Sequence, residues 1–397
     1  MTIESMPNSP GDGVVDPTAA LNMPRSTRFY PALETCRGIC ALMVAVMHIP
    51  WDWSFRSAPL VRHSWLFVDF FFVLSGFVIA NAFIERMRDR AAVATFARRR
   101  FFRLYPLHIV TTLATLALIG VRYVMEPAST IETMKINADW WWLAASNVFL
   151  VHAWGVSGDA VLNTASWSIS TEVAAYIAFG LICSLVATPG RRVLAHLALG
   201  IASAAVLLLF RHDVGLGGDV TLRVFRCTYS FALGVGIWWL VRKREIGGKG
   251  EVSSAVQVMA SAVVIAMVIV VGGYGVSTML IPFAFAAAIL ALAGGPDSFV
   301  SRCLSIGPLL WLGTLSYSVY LTHALVQTVF DVARKRAMGS IDLTTETWIG
   351  DALVLVSTFA VLLVSAVTYR WIEAPWRDFG KTQRLSARGD LGVAAAS

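Results

Sequence analysis

Apolar positions in this chain fall in long, nearly unbroken runs, such as "LGIASAAVLLLF" (199–210) and "ALVLVSTFAVLLVSAV" (352–367). They do not alternate as in a half-exposed strand. A run of this kind suits hydrocarbon on all sides. A bilayer core ~30 Å thick, crossed at ~1.5 Å per residue, calls for ~20 mostly apolar residues. The pattern predicts ten spans: 33–50, 64–84, 104–122, 166–187, 193–210, 221–241, 254–273, 276–293, 309–330 and 350–372. The predicted fold class is all-α, a polytopic bundle of about ten transmembrane helices.

Composition agrees. The 397 residues are 57% hydrophobic and only 14% charged, against roughly a quarter charged in soluble domains. The 14 tryptophans suit interfacial belts. Cys36, Cys40, Cys183, Cys227 and Cys303 form no CxxC pair and read as small packing residues, with no metal site implied. Residues 1–24, rich in Pro, Gly, Asp and Asn, read as a disordered cytoplasmic tail, and 381–397 as a second one, flanking a membrane domain over 25–380.

Charge sets the expected orientation. With the N-terminus inside, the inner segments hold Arg25 and Arg28, the run Arg86–Arg103, Arg191 and Arg192, "RKREIGGK" (242–249), Arg302 and the tail from Arg370. That is the positive-inside pattern, so both termini are expected in the cytoplasm. The cluster Arg334–Arg336 falls outside and reads as a local surface feature. The net charge of +7 follows from the same asymmetry and suits anionic lipid headgroups. No nucleic-acid motif is present, and nothing sets an oligomeric state.

The first span, "CRGICALMVAVMH", carries Arg37 and His48. Eleven residues at ~100° each make about three turns, so both leave one face, ~16 Å apart along the axis. Arg37 paired with Glu34 and a satisfied interfacial His48 is the plain reading of each alone. Together they predict a polar cavity inside the bundle, since charge facing lipid is costly. Asp69 opens the second span at the depth of His48 and is expected to orient its imidazole. Ser75 and Gly76 lie deeper and permit close helix approach. A histidine base with an acidic orienter suits deprotonation of an alcohol.

These residues resemble the integral-membrane acyltransferase-3 family. The resemblance runs along nearly all of 33–380. It rests on Arg37 and His48 in the first span, "VDFFFVLSGFVI" (68–79), "RRRFFRLYPL" (98–107), "LNTASWSISTE" (162–172), "LGTLSYSVYLTH" (312–323) and "WIEAPWR" (371–377). Glu34, Thr35 and Cys36 stand where the family usually has an aspartate and a glycine-leucine pair. Some relatives carry an extracytoplasmic hydrolase-like domain after the last span, and none is expected here.

The resemblance implies an O-acyltransferase of the bacterial inner membrane. It would move an acyl group, usually acetyl, from cytoplasmic acyl-CoA to a hydroxyl on a carbohydrate or a macrolide-like small molecule. Acetyl-CoA is then a substrate and no bound cofactor is expected. His48, Asp69 and Glu172 are the expected catalytic residues. Arg37, Arg100 and Arg103 are expected to hold the donor's phosphates, with Arg98 and Arg99 equally explained as inner-loop charge. Ser75, Asn163, Trp167, Ser168, Tyr317 and His323 are expected to line the cavity or bind the acceptor. Glu373 reads as a cap or an ion pair with an inner arginine. A transporter would share the polar cavity and a scaffold the bundle, but neither needs an acyl-CoA site.

Overall fold

The computed structural model describes residues 28–125, 140–156, 162–211, 216, 220–248, 250–271, 273, 275–339 and 343–382. The expected tail over 1–24, all but the first two residues of the one over 381–397, and parts of the stretch 123–165 between the third and fourth predicted spans lie outside these residues.

Among the described residues, ten long helices make up the bundle. They are α1 (Pro31–Met47), α2 (Phe67–Phe83), α3 (Arg90–Met125), α4 (Ser166–Leu185), α5 (Pro189–Arg211), α6 (Arg223–Ile246), α7 (Ser254–Val271), α8 (Ile281–Gly294), α9 (Gly307–Met338) and α10 (Thr347–Thr368). Nine helical stretches among these residues are long and apolar enough to cross a membrane. The remaining one, α1, has 17 residues, ~25 Å of helix, which is the lower limit for a span. The protein is thus an all-α, polytopic membrane protein.

Several helices outrun their predicted spans because helical backbone continues where the apolar pattern stops. The helix α3 begins at Arg90, so the arginine run lies on the helix and not in a loop. At the end of α9, Arg334 and Lys335 both pair with Asp331, one turn back, at 2.7 Å each. The basic cluster is partly neutralised where it stands. After α10 the chain makes a wide turn over Tyr369–Glu373 and continues helically over Ala374–Thr382.

Two glycine crossings set the frame. A Cβ on Gly76 would lie 2.0 Å from the Phe231 carbonyl oxygen, and one on Gly234 1.9 Å from that of Val73. Here α2 and α6 meet backbone to backbone. In the same way a Cβ on Gly38 would lie 2.6 Å from the Gly313 nitrogen, and one on Gly313 2.4 Å from the Glu34 oxygen. This locks α1 against α9 and lets carbonyl dipoles and dispersion replace the missing hydrophobic drive between membrane helices. The most buried helices are α2, α6 and α8, and α7 is the least.

A buried guanidinium fastens one end of the bundle. Arg192, 3% exposed, donates to the carbonyls of Val186 at 2.7 Å, Ile84 at 2.6 Å, Met87 at 2.6 Å and Cys183 at 2.8 Å. These oxygens belong to the C-terminal ends of α2 and α4, where the dipoles point their negative poles. One cation satisfies orphan carbonyls of both helices.

Candidate active site

The α1–α9 contact brings Arg37 to the wall of an internal cavity of about 130 Å³. Its Nη2 donates to Glu34 at 2.6 Å and its Nε to Ser316 at 2.7 Å. The expected Glu34 pairing is present, and Arg37 faces the cavity as well. Across it, Ser75 of α2 meets α4. Ser75 donates to Glu172 at 2.5 Å, Tyr176 donates to the same Glu172 oxygen, and the two hydroxyls lie 3.0 Å apart. Tyr176 is one turn beyond Glu172, so the carboxylate is held by its own helix and by a neighbour.

The arginines of α3 close one end of the cavity. Arg100 lies over the rings of Phe83 and Tyr176, 6.0 and 5.9 Å from their centroids. Arg103 forms a buried ion pair with Glu373, whose other oxygen accepts from Ser318 at 2.7 Å. Glu373 is thus the ion-pair partner of an arginine, one of the two readings its sequence position allowed. Arg103 also lies over Tyr317, 5.6 Å from the centroid. In contrast, Nε and Nη2 of Arg98 and Nε of Arg100 are buried without a hydrogen-bond partner. Buried donors without acceptors are costly, and phosphate oxygens are the acceptors that match such forks.

His48 caps the far end of α1 and is exposed. Its Nδ1 lies 2.8 Å from the Val44 carbonyl oxygen. A carbonyl can only accept, so the proton sits on Nδ1 and Nε2 keeps its lone pair. Its ring is 5.1 Å from that of His323, which is 5.9 Å from Tyr320. Tyr320 is on the cavity wall and accepts from Ser168 at 2.9 Å. The histidines therefore adjoin the cavity through Tyr320.

Asp69 differs from expectation. It is fully buried and accepts from Arg226 Nη2 at 2.6 Å, from Arg226 Nε at 3.1 Å and from Ser230 at 3.1 Å. Arg226 also stacks over Trp65 and Trp167 at 5.0 and 5.5 Å. The carboxylate does not orient His48. The Val44 carbonyl does that, and Asp69 instead ties α2 to α6. The physical reason is that a buried guanidinium has the stronger claim on a buried carboxylate.

The other expected residues divide. Arg37, Ser75, Arg100, Arg103, Ser168, Glu172 and Tyr317 share the cavity wall. His48, Asp69, Asn163, Trp167 and His323 are not on it. Asn163 is structural in its contacts: its Nδ2 donates to Leu321 O at 2.9 Å and its Oδ1 accepts from Ala165 N at 3.1 Å. Trp167 lies beneath Arg223, 4.9 Å away. Tyr176, Ser316 and Tyr320 join the wall without having been expected there. Tyr176 was available from its spacing four residues after Glu172. Arg226 was available as a charge inside an apolar run, which demands a partner.

Comparison with known proteins places this geometry. A family model described as an acyltransferase domain matches residues 30–370. The acyltransferase MdmB of Streptomyces mycarofaciens is 30% identical over 334 residues, 76% of this chain and 80% of that protein. The O-acetyltransferase OatA of Staphylococcus aureus is 24% identical over 379 residues, and YrhL of Bacillus subtilis, named for peptidoglycan O-acetylation, is 24% identical over the same length. Both cover 89% of this chain, which spans only 58% and 56% of their lengths. No solved structure matches. With a matching model over most of its length, the chain belongs to the acyltransferase-3 family of integral-membrane O-acyltransferases.

Proposed function

We propose that the protein takes an acyl group, acetyl in the simplest case, from cytoplasmic acyl-CoA and places it on a hydroxyl of an extracytoplasmic or lipid-linked carbohydrate at the bacterial inner membrane. The observation that carries this reading is a cavity with arginines on its wall and a histidine that adjoins it through His323 and Tyr320. Arg100 of α3, whose buried Nε has no acceptor, shares the cavity wall with Arg37, and a histidine stands ~16 Å along α1 from Arg37. The arginine end takes the donor's phosphates and the acyl-bearing arm enters the cavity.

His48 Nε2 accepts the proton of the acceptor hydroxyl as its oxygen attacks the thioester carbonyl. The C–S bond breaks, the ester C–O bond forms, and the departing thiolate takes the proton. Glu172 holds Ser75 and Tyr176 in the cavity wall between these ends. Asp69 has no part in the chemistry.

Purified protein in liposomes is tested for release of free CoA thiol from acetyl-CoA in the presence of cell-wall glycan, lipid-linked oligosaccharide or a small polyhydroxylated acceptor. His48→Ala is expected to lower the rate ~10²–10⁴-fold, the usual worth of a general base. Wild-type turnover in that variant, or no thiol release with any acceptor, overturns the reading. A cysteine placed at 145 should label from the extracytoplasmic side and one at 245 should not, and the reverse result removes the donor route.

A further inference from the structure

The basic run at the end of α6 divides its charge unevenly. Arg242 meets Glu85 at 3.1 Å and Glu245 at 3.9 Å. Lys243 and Arg244 form no ion pair among the described residues. Lys243 Nζ instead lies over the Trp239 ring, 5.2 Å from its centroid, and Arg244 Nη2 donates to the Gly250 carbonyl at 2.6 Å. The first contact holds an ammonium beside an aromatic face. The second fixes a guanidinium while using one of its five N–H groups.

Both cations stand on the wall of a groove of about 750 Å³ between α6, α7 and α8. Every other residue on that wall is apolar, among them Leu240, Val256, Met259, Val263, Ala287 and Leu290. The groove runs along α7, the least buried of the spans. Gln257 pins α7 at the end where the cations stand: its Nε2 donates to the carbonyls of Ala291 at 3.1 Å and Gly295 at 2.8 Å. The mouth of the groove is therefore built, although its length faces outward.

Two features select the occupant. The first is length. Val263, the deepest wall residue of α7, is nine residues past Ser254, ~14 Å of helix. That is about half of a ~30 Å hydrocarbon core, the depth of one leaflet. A neighbouring membrane helix would run on across the second half, whereas a lipid chain ends there. The second is charge. Two cations without carboxylates suit a phosphate with a net negative charge, and the guanidinium fork matches its oxygens. A second copy packed here about a two-fold axis would bring the same cations together.

We propose that this groove binds an anionic glycerophospholipid, with its phosphate on Lys243 and Arg244 and an acyl chain along α7 between Leu240, Met259 and Ala287. The lipid belongs to the leaflet on which Lys243 stands. Its bound chain covers the outward side of α7 and joins α7 to α6 and α8. This inference goes beyond the acyl-transfer reading and does not depend on it.

The test titrates the delipidated full-length protein in detergent with dioleoyl phosphatidylglycerol and, separately, with dioleoyl phosphatidylcholine, counting bound lipid by native mass spectrometry. Phosphatidylglycerol is expected to give a single tight adduct, at least about tenfold tighter than phosphatidylcholine, since only the former carries net charge. Lys243→Gln with Arg244→Gln should weaken phosphatidylglycerol roughly 30-fold, the worth of two basic groups at a lipid surface, and leave phosphatidylcholine within about threefold. Ala287→Trp keeps the cations and fills the groove, and should abolish the adduct. Equal affinity for the two lipids, or an unchanged adduct in either variant, overturns the proposal. Displacement of the lipid by glycerol phosphate alone also overturns it, because the chains would then contribute nothing. A protein dimer that Ala287→Trp dissociates, in place of a lipid adduct, assigns the face to a second copy and overturns it equally. Should Ala287→Trp fail to accumulate, the double charge variant decides the question, because it alters only an exposed and a half-buried side chain at the helix end.

Discussion

Asp69→Asn separates two roles that one carboxylate cannot share. The side chain is wholly buried, Arg226 beside it is 8% exposed, and three contacts join them: Nη2 at 2.6 Å and Nε at 3.1 and 3.2 Å. Asparagine keeps the shape and loses the charge, so Arg226 remains in the bundle uncompensated. Breaking a buried pair from one side costs about 3–5 kcal/mol, more than an exposed pair is worth, because the surviving charge cannot regain water. The carbonyls of Leu216, at 3.0 Å, and Trp65, at 3.4 Å, accept from the same guanidinium and soften the loss without cancelling it. SDS titration in mixed micelles reads the stability directly, and thiol release per folded molecule reads the chemistry. Stability should fall by that amount while turnover per folded molecule stays within about threefold. Adding Arg226→Met should recover most of the loss, since removing both charges is often neutral. A fully stable Asp69→Asn protein with turnover gone would refute the reasoning and return the carboxylate to the reaction.

Other outcomes follow from contacts of the same kind. Arg192→Met strips four buried carbonyls of their donor and should cost on the order of 3–5 kcal/mol in the same titration, with little change in KM. Gly234→Ala drives a methyl to 1.9 Å from the Val73 carbonyl oxygen; it should destabilise by about 1–3 kcal/mol and lower the yield of folded protein in membranes. Arg100→Ala removes a fork with an unpartnered Nε and should raise KM for acetyl-CoA about tenfold with kcat nearly unchanged. Arg103→Ala instead strands buried Glu373 and should show first as lost stability, measurable as a lower yield at equal expression.

The fold was legible because hydrocarbon demands long apolar runs, and each predicted span has its helix. The ends were less so. At Arg90 and at Arg334 the helices continue on charges, which a hydropathy pattern counts as breaks although helical backbone tolerates them well. Within the site, helical phase puts Arg37 on the cavity side, and motif resemblance brings in Ser75, Ser168, Glu172, Arg100, Arg103 and Tyr317. Asp69 departs from its expected place because depth along the membrane normal is not proximity. Two residues at one depth can face different neighbours, and only the rotation of α2 about its axis decides between His48 and Arg226. The Arg103–Glu373 pair joins residues 270 apart in sequence; the charge types were readable but their meeting depends on how the turn at Tyr369–Glu373 aims the last helix.

The glycine crossings have an electrical consequence. Where α1 meets α9 and α2 meets α6, main chain touches main chain, so neither pair can slide or roll without tearing that contact. The helices that carry Arg37, Ser75, His48 and His323 therefore form a fixed frame. In the proposed reaction, the traffic through such a frame would be a two-carbon fragment in the simplest case, handed across a stationary wall, while the bulky nucleotide stays on its own side. A wall that does not rock leaves no interval in which ions have a continuous path, so the proposed transfer would proceed on an energised membrane without discharging it.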